Sequence, residues 1–187
     1  MPTIFSHAIA AAAIGTVTVA GPSRARLWAL GALCAVVPDL DVIHYHLGLP
    51  YEQMLGHRGL SHSLFFATLL ACVMTGLVRR RWPASAGAPR LWTLFFLTTA
   101  SHGVLDAMTT GGMAIAFFAP FSGTRYFLPW RPIAFSPVTI HEFFSEWGLR
   151  VMWSELRWIW LPSAAIVLVG LTRFGARSGA RDGSTSP

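Results

Sequence analysis

LWTLFFLTTASHGVLDAM, residues 91–108, decides how this chain has to be read. Uncharged residues run from Leu91 to Leu105 before Asp106 is reached, and His102 lies inside that run. His102 and Asp106 are four residues apart, so on a helix they share one face. An apolar helix with an imidazole and a carboxylate near one end has two readings. The pair can tie the helix to a neighbour through a His–Asp hydrogen bond, or it can offer a nitrogen and an oxygen to one metal ion. Ionisable groups inside a membrane are costly, which weighs toward a functional role.

Four further apolar segments lie around this stretch, at 4–20, 27–43, 60–78 and 158–172. Several are shorter than the ~20 residues that a comfortable membrane span requires. From Leu27 to Pro38, for example, the uncharged run is short before it meets Asp39. Hydrophobic residues make up 53% of the chain and charged ones only 12%, with a mean hydropathy of +0.52. A soluble domain of this size could not hide so much apolar surface, whereas a bilayer can. The expected fold is therefore all-α, a polytopic membrane helical bundle of four to five spans. Residues 117–157, with four prolines and many aromatics, are expected as a helical or irregular outer cap, with an amphipathic helix over 139–156 near the interface. Residues 1–172 are expected to form one membrane-embedded domain, and the Gly/Ser-rich stretch 173–187 a disordered cytoplasmic tail.

The net charge of +6 comes from arginine, since the sequence contains no lysine. Nine of the 14 arginines (24, 26, 79, 80, 81, 90, 173, 177 and 181) fall in three regions that share one side of a five-span bundle. The positive-inside rule makes that side cytoplasmic and puts the N-terminus outside, in a bacterial inner membrane. The same topology sorts Asp39, Asp41, Glu52, Asp106, Glu142, Glu146, Glu155 and every histidine to the outer, periplasmic side. The arginines form no stripe interleaved with aromatics, so no nucleic-acid partner is expected. No basic n-region precedes the first apolar run, so no cleaved signal peptide is expected. Cys34 and Cys72 sit inside apolar runs and suggest neither a disulfide framework nor thiolate ligands.

The outer side thus concentrates candidate ligands. Pro38-Asp39-Leu40-Asp41 ends the second segment, and Pro38 favours a local break in the helix there. Carboxylates two apart converge only on irregular backbone, and Asp39, the deeper of the two, is the stronger ligand candidate. His57 and His62 are about 140° apart on a regular helix, so they can share an ion only across a turn. Gly59 is expected to supply that turn and Ser61 to cap the helix that follows. Arg58 is expected at the rim, either as an anion clamp or as an interfacial anchor. His7 opens the first segment, as a ligand or as a tolerated interfacial residue. His44 and His46, beside Tyr45, read as interface residues and are left out of the ligand set, and His141 lies in the cap. His7, Asp39, Asp41, His57, His62, His102 and Asp106 come from four segments and share one depth. Nitrogen and carboxylate donors without thiolates suit zinc, with manganese possible, as one or two divalent ions.

Pro38–Asp41, His57–Ser63 and Ser101–Asp106 resemble the motifs of the YdjM-like family of membrane-bound metal-dependent hydrolases. The resemblance is one of motif order, extends from His7 to about Pro162, and includes Pro120-Phe121-Ser122 and Ser154-Glu155-Leu156. That family is in turn similar to the all-helical zinc phospholipase C and single-strand nuclease group. The resemblance implies His7, Asp39, His62, His102 and Asp106 as ligands. Two departures stand out: the larger group uses an N-terminal tryptophan where this chain has Met1-Pro2, and a second HxxxE pair where Ser145 follows His141. The second departure speaks against a third metal.

The expected activity is hydrolysis of a lipid or lipid-linked phosphoester by metal-activated water. Asp41 is assigned to that water and Arg58 to a phosphate oxygen. Two rivals remain at this level. An ion transporter should show polar residues through the full membrane depth, which the opposite halves of the segments lack. A regulatory or structural membrane protein could use the metal as a staple only.

Overall fold

Each long apolar run folds as a helix in the computed structural model, which describes residues 1–182 apart from residues 22, 46, 47, 49 and 138. Helix α1 spans Ile4–Thr18, α2 Arg24–Val36, α3 Leu64–Arg81 and α4 Ala88–Ala107. Sequence signals set their ends. Ser63 caps α3, its side chain accepting a hydrogen bond from the Phe66 N–H, and Pro89 sits in the first turn of α4, where a missing N–H costs nothing. The cap of α3 is thus Ser63 and not Ser61, whose hydroxyl is engaged elsewhere. Among the described residues there is no strand, only isolated bridges pairing Thr109 with Ile133 and Ile115 with Tyr126.

The four helices run alternately up and down. Their polar ends meet at one end of the bundle, while Val19, Leu27, Val78, Leu91, Leu94 and Phe95 close the other in a buried apolar cluster. Side chains at the helix crossings are small: a Cβ on Gly31 would come within 3.2 Å of Thr98, so α2 and α4 approach closely. Between α2 and α3 the chain first follows Pro38 into a 3-10 stretch, Val37–Tyr45, and then makes a 3-10 turn at Leu60–His62.

The cap region holds a short α5, Ile140–Phe143, and α6, Glu146–Glu155. The amphipathic helix expected over 139–156 is therefore broken, because Ser145 leaves the helix to cap α6 through the Trp147 N–H. Helix α6 does not stop where the fifth apolar segment was expected to begin. It continues through a π-helical stretch, Leu156–Trp160, into α7, Leu161–Asp182. The wide turn falls just before Pro162, which has no N–H for the carbonyl of Trp158. Residues 183–187 of the expected tail lie outside the described residues.

Of the described helices, one is long and apolar enough to cross a membrane: Glu146–Thr172, 27 residues of mean hydropathy 1.3 with 22% of its apolar window buried. The others fall short for a physical reason. At ~1.5 Å per residue, the 15 residues of α1 and 13 of α2 are shorter than a ~30 Å hydrocarbon core. Helices α3 and α4 reach 18 and 20 residues only by including Arg79–81 in one and Arg90, His102 and Asp106 in the other. By length and composition alone, one of the described helices qualifies as a candidate span, and the four or five spans expected are not confirmed by that measure.

Candidate metal site

At the polar end, short-range sequence features place eight functional side chains against one another. His7 lies on the first turns of α1, and His102 and Asp106 lie one turn apart at the end of α4; all three are fully buried. The His7 and His102 rings stack, with centroids 3.8 Å apart. Asp39 and Asp41 leave the 3-10 stretch after α2, and His57, Arg58 and His62 come from the loop before α3. A Cβ on Gly103 would lie 2.9 Å from the His62 carbonyl, so glycine there lets that loop settle directly on α4.

The turn between His57 and His62 is built differently from expectation. Arg58, not Gly59, takes the left-handed conformation, with φ of 62°. Gly59 is needed for space, because a Cβ there would collide with the carbonyls of Met54 and Gly56. A non-glycine residue in this region is strained and persists only where its surroundings hold it. Here the Arg58 N–H donates to Asp41 Oδ2 at 3.2 Å, while its carbonyl accepts from the Ala116 N–H at 3.1 Å and from Arg125 at 3.1 Å. Arg125 donates as well to the carbonyls of His57, Tyr51 and Gln53, and so fastens the whole loop.

Arg58 is not at the rim. Its side chain is 1% exposed, with Nη1 donating to the Met113 carbonyl at 2.5 Å and Nε 3.1 Å from Asp106 Oδ2. The positive φ turns the side chain inward, beneath the histidines.

Asp41 collects donors. Its Oδ1 is 2.5 Å from His57 Nδ1, and its Oδ2 is 2.5 Å from the Ser61 hydroxyl and 3.1 Å from His62 Nδ1. Burial pushes the Asp41 carboxyl up, but the hydrogen bonds and positive field of His57 and His62 outweigh it and hold the group below the usual carboxylate range. A carboxylate that stays ionised there fixes the tautomer of its histidine partners, placing their protons on Nδ1. The carbonyl of Ala35, at the end of α2, does the same for His102 by accepting from its Nδ1 at 2.7 Å.

The consequence is electrostatic. His62 and His102, each with its proton committed to an oxygen, point Nε2 at each other across 3.0 Å. Two lone pairs facing at that distance repel, so the contact calls for either a proton shared between the rings or a metal ion bound by both. Asp39 Oδ1 is 3.3 Å from His102 Nε2 and 3.9 Å from His62 Nε2, and Asp106 Oδ2 is 3.7 Å from His62 Nε2. His7 Nε2 stands 3.7 Å from Asp106 Oδ1. These separations suit ligand atoms arranged around an ion about 2 Å from each. Two sets, His7 with His102 and Asp106, and Asp39 with His57 and His62, each place their donor atoms within 4.8 Å of one another. Both nitrogens of His7, Oδ1 of Asp39 and both oxygens of Asp106 are buried without a hydrogen bond. Such atoms are rare in folded proteins and fit ligands of a metal. All eight residues picked from the sequence are thus brought together. His46 and the side chain of His44, both left out of the ligand set from sequence, lie outside the described residues.

One acidic residue at this end had no role assigned from sequence. Glu155, fully buried at the end of α6, accepts from the Thr3 N–H, the Thr3 hydroxyl and the Ser6 hydroxyl, each at 2.6 Å. Ser6 in turn accepts from Trp160 Nε1 at 2.7 Å. Glu155 therefore fastens the continuous α6–α7 helix to the turn of α1 that carries His7. The available signal was its place in Ser154-Glu155-Leu156, just ahead of the fifth apolar segment.

The bundle and its polar end define a helical membrane protein with a histidine–aspartate cluster of metal-ligating geometry. Comparison with known proteins makes the class specific: residues 1–179 match the YdjM inner membrane protein family, and the chain belongs to it. It is similar to the inner membrane protein YbcI of Escherichia coli (strain K12), with 37% identity over 173 residues that cover 91% of this chain and 96% of that protein. No solved structure matches. The protein is accordingly a bacterial inner-membrane protein with a cluster that could hold a metal ion.

Proposed function

We propose that the protein is a membrane-bound metal-dependent hydrolase acting on a lipid or lipid-linked phosphoester. The observation that carries this reading is the face-to-face approach of His62 Nε2 and His102 Nε2, with Asp39 and Asp106 completing the ring. His7, Asp39, His62, His102 and Asp106 would hold the first ion, and His57 with Asp39 would serve a second. The donor set is nitrogen and oxygen, which suits zinc or manganese. A bound ion of this kind supplies Lewis-acid polarisation of a phosphoryl oxygen and an acidified water.

The chain's own residues orient that centre. Asp41, with both oxygens engaged by donors, holds His57 and His62 in register rather than reaching outward. Arg58 sets a positive charge behind Asp106 and holds that carboxylate toward the histidines. In this reading Asp41 and Arg58 support the ligands from beneath, rather than handling water and binding phosphate as expected from the sequence. A lipid substrate is supported by the cluster's place at the ends of apolar helices.

The reading includes a multi-pass topology with the cluster on the periplasmic side, supported by the arginines of the α3–α4 connection. A reporter fused after Arg177 should then behave as cytoplasmic and one inserted near Ser122 as periplasmic; the reverse pattern would move the cluster to the cytoplasmic face. The activity is tested by incubating purified protein, loaded with zinc or manganese, with phospholipids, lipid-linked phosphates and generic phosphodiesters. Turnover of a lipid phosphoester above the background of His102→Ala is expected. Metal-loaded protein that turns over none of them would leave the metal as a structural staple.

A further inference from the structure

A cavity of about 710 Å³ opens beside the cluster. Its walls are the start of α1, through Ile4 and Phe5, the 3-10 stretch at Val42, and the cap at Met113, Phe135 and Phe143. No aspartate, glutamate, arginine or lysine contributes to them; His57 and Tyr51 are the titratable side chains among the lining residues. Water in such a space gains few hydrogen bonds, and an apolar occupant is favoured.

The position of the cavity identifies which end of an occupant goes where. Its inner end is His57, which the Asp41 carboxylate ties to His62. Gly112 and Met113 form the adjoining wall and also hold the Arg58 guanidinium. Met113 accepts from Nη1, and Gly112, with φ of 79°, lies so close that a Cβ would come within 2.8 Å of it. The His57 end is therefore the polar end of the cavity, its charges already paired as His57 with Asp41 and Arg58 with Asp106, and a polar headgroup is favoured there over an acyl chain. At the mouth, Phe5 is 64% exposed and Val42 42% exposed, so the apolar lining continues onto the outer surface. An occupant with a polar head and an apolar tail matches this gradient, and in an inner membrane the abundant molecule of that chemistry is phospholipid.

We propose that this cavity receives an acyl chain of a membrane phospholipid, placing the lipid's phosphate end at His57 and the chain between α1 and the Phe135–Phe143 side of the cap. The inference deepens the hydrolase reading and rests on it for the direction of the headgroup, but chain binding is measurable without catalysis. Phe135 contributes to selection, because its ring covers Gly111 and Gly112 and forms the wall opposite α1.

The test uses full-length protein in vesicles containing a phosphatidylglycerol with a photoreactive diazirine on one acyl chain, with crosslinked residues mapped by mass spectrometry. Crosslinks are expected at Met113, Phe135 and Phe143, besides those that bulk lipid makes to exposed Leu69 and Val73 of α3. Ser136→Trp, which adds bulk to the cavity wall, should lower the first group at least fivefold and leave the second unchanged. Ser136→Glu, which adds charge at the same place, should do likewise, and circular dichroism melting reports whether either variant is folded. Crosslinks confined to α3, or cavity crosslinks that neither folded variant lowers, would overturn the proposal. Cavity crosslinks retained in His102→Ala, together with wild-type protein that holds no metal, would sustain the chain site and reject the hydrolase reading.

Discussion

The two ends of the bundle are built from the same four helices and hold together by opposite means. At one end Val19, Leu27, Val78, Leu91 and Phe95 meet in a buried cluster, and the adjoining connections carry Arg24, Arg26 and Arg79–81. At the other, the same helices finish in His7, Asp39, His62, His102 and Asp106, where polar atoms are buried without hydrogen bonds. Apolar packing is non-directional and tolerates substitution of similar volume. A ring of imidazoles and carboxylates is stable only with charge balance and fixed tautomers. The difference teaches that one end closes the bundle by apolar packing alone, while the other gathers groups that could hold a metal ion.

Asp106→Ala should have the largest effect, because it damages the polar end twice. It removes a ligand and leaves the buried Arg58 guanidinium without its counter-charge, a loss of about 3–5 kcal/mol. Metal analysis and a thermal melt should both register it. Phe95→Ala at the opposite end should destabilise by a comparable 3–5 kcal/mol through lost packing. The folded fraction of that variant should still retain metal at the wild-type ratio, and a matched loss of metal would dissolve the distinction between the ends.

Asp41→Asn keeps the shape of the side chain but frees the His57 and His62 tautomers. Metal affinity should fall by roughly 10–100-fold with little change in melting temperature, as for other residues that orient ligands. Competitive chelation would measure this, and unaltered affinity would remove Asp41 from the account. Glu155→Gln should be milder. It loosens the attachment of Thr3 and Ser6 at a cost of about 1–3 kcal/mol. It should weaken metal retention less than Asp41→Asn, since it acts on His7 only through α1. Smallest of all, Leu77→Ala on the exposed face of α3 should change stability by under about 0.5 kcal/mol in detergent and leave metal untouched.

Periodicity and composition made the helices legible, because helix α4 carries its apolar run and its HxxxD pair in one continuous stretch. The members of the site were legible too, since histidine and aspartate in apolar surroundings need a reason to be there. Their roles were not. That Arg58 turns inward depends on a left-handed backbone held by Asp41, Ala116 and Arg125, which are distant in sequence. The engagement of both Asp41 oxygens is visible only once Ser61 and His62 fold back upon them. Glu155 was ambiguous because its partners, Thr3 and Ser6, lie about 150 residues away. The number of spans was less legible: hydrophobicity marks a helix as apolar, but α1 and α2 are short for a hydrocarbon core, so length alone does not count them.

The central claim is that the polar end is a metal site. Its most direct test is elemental analysis of wild-type protein purified without chelator, beside His102→Ala. The account predicts one or two equivalents of zinc or manganese in the wild type and near-background content in the variant. Wild-type protein that is folded but carries no divalent metal, and takes none up when zinc or manganese is supplied, would contradict it.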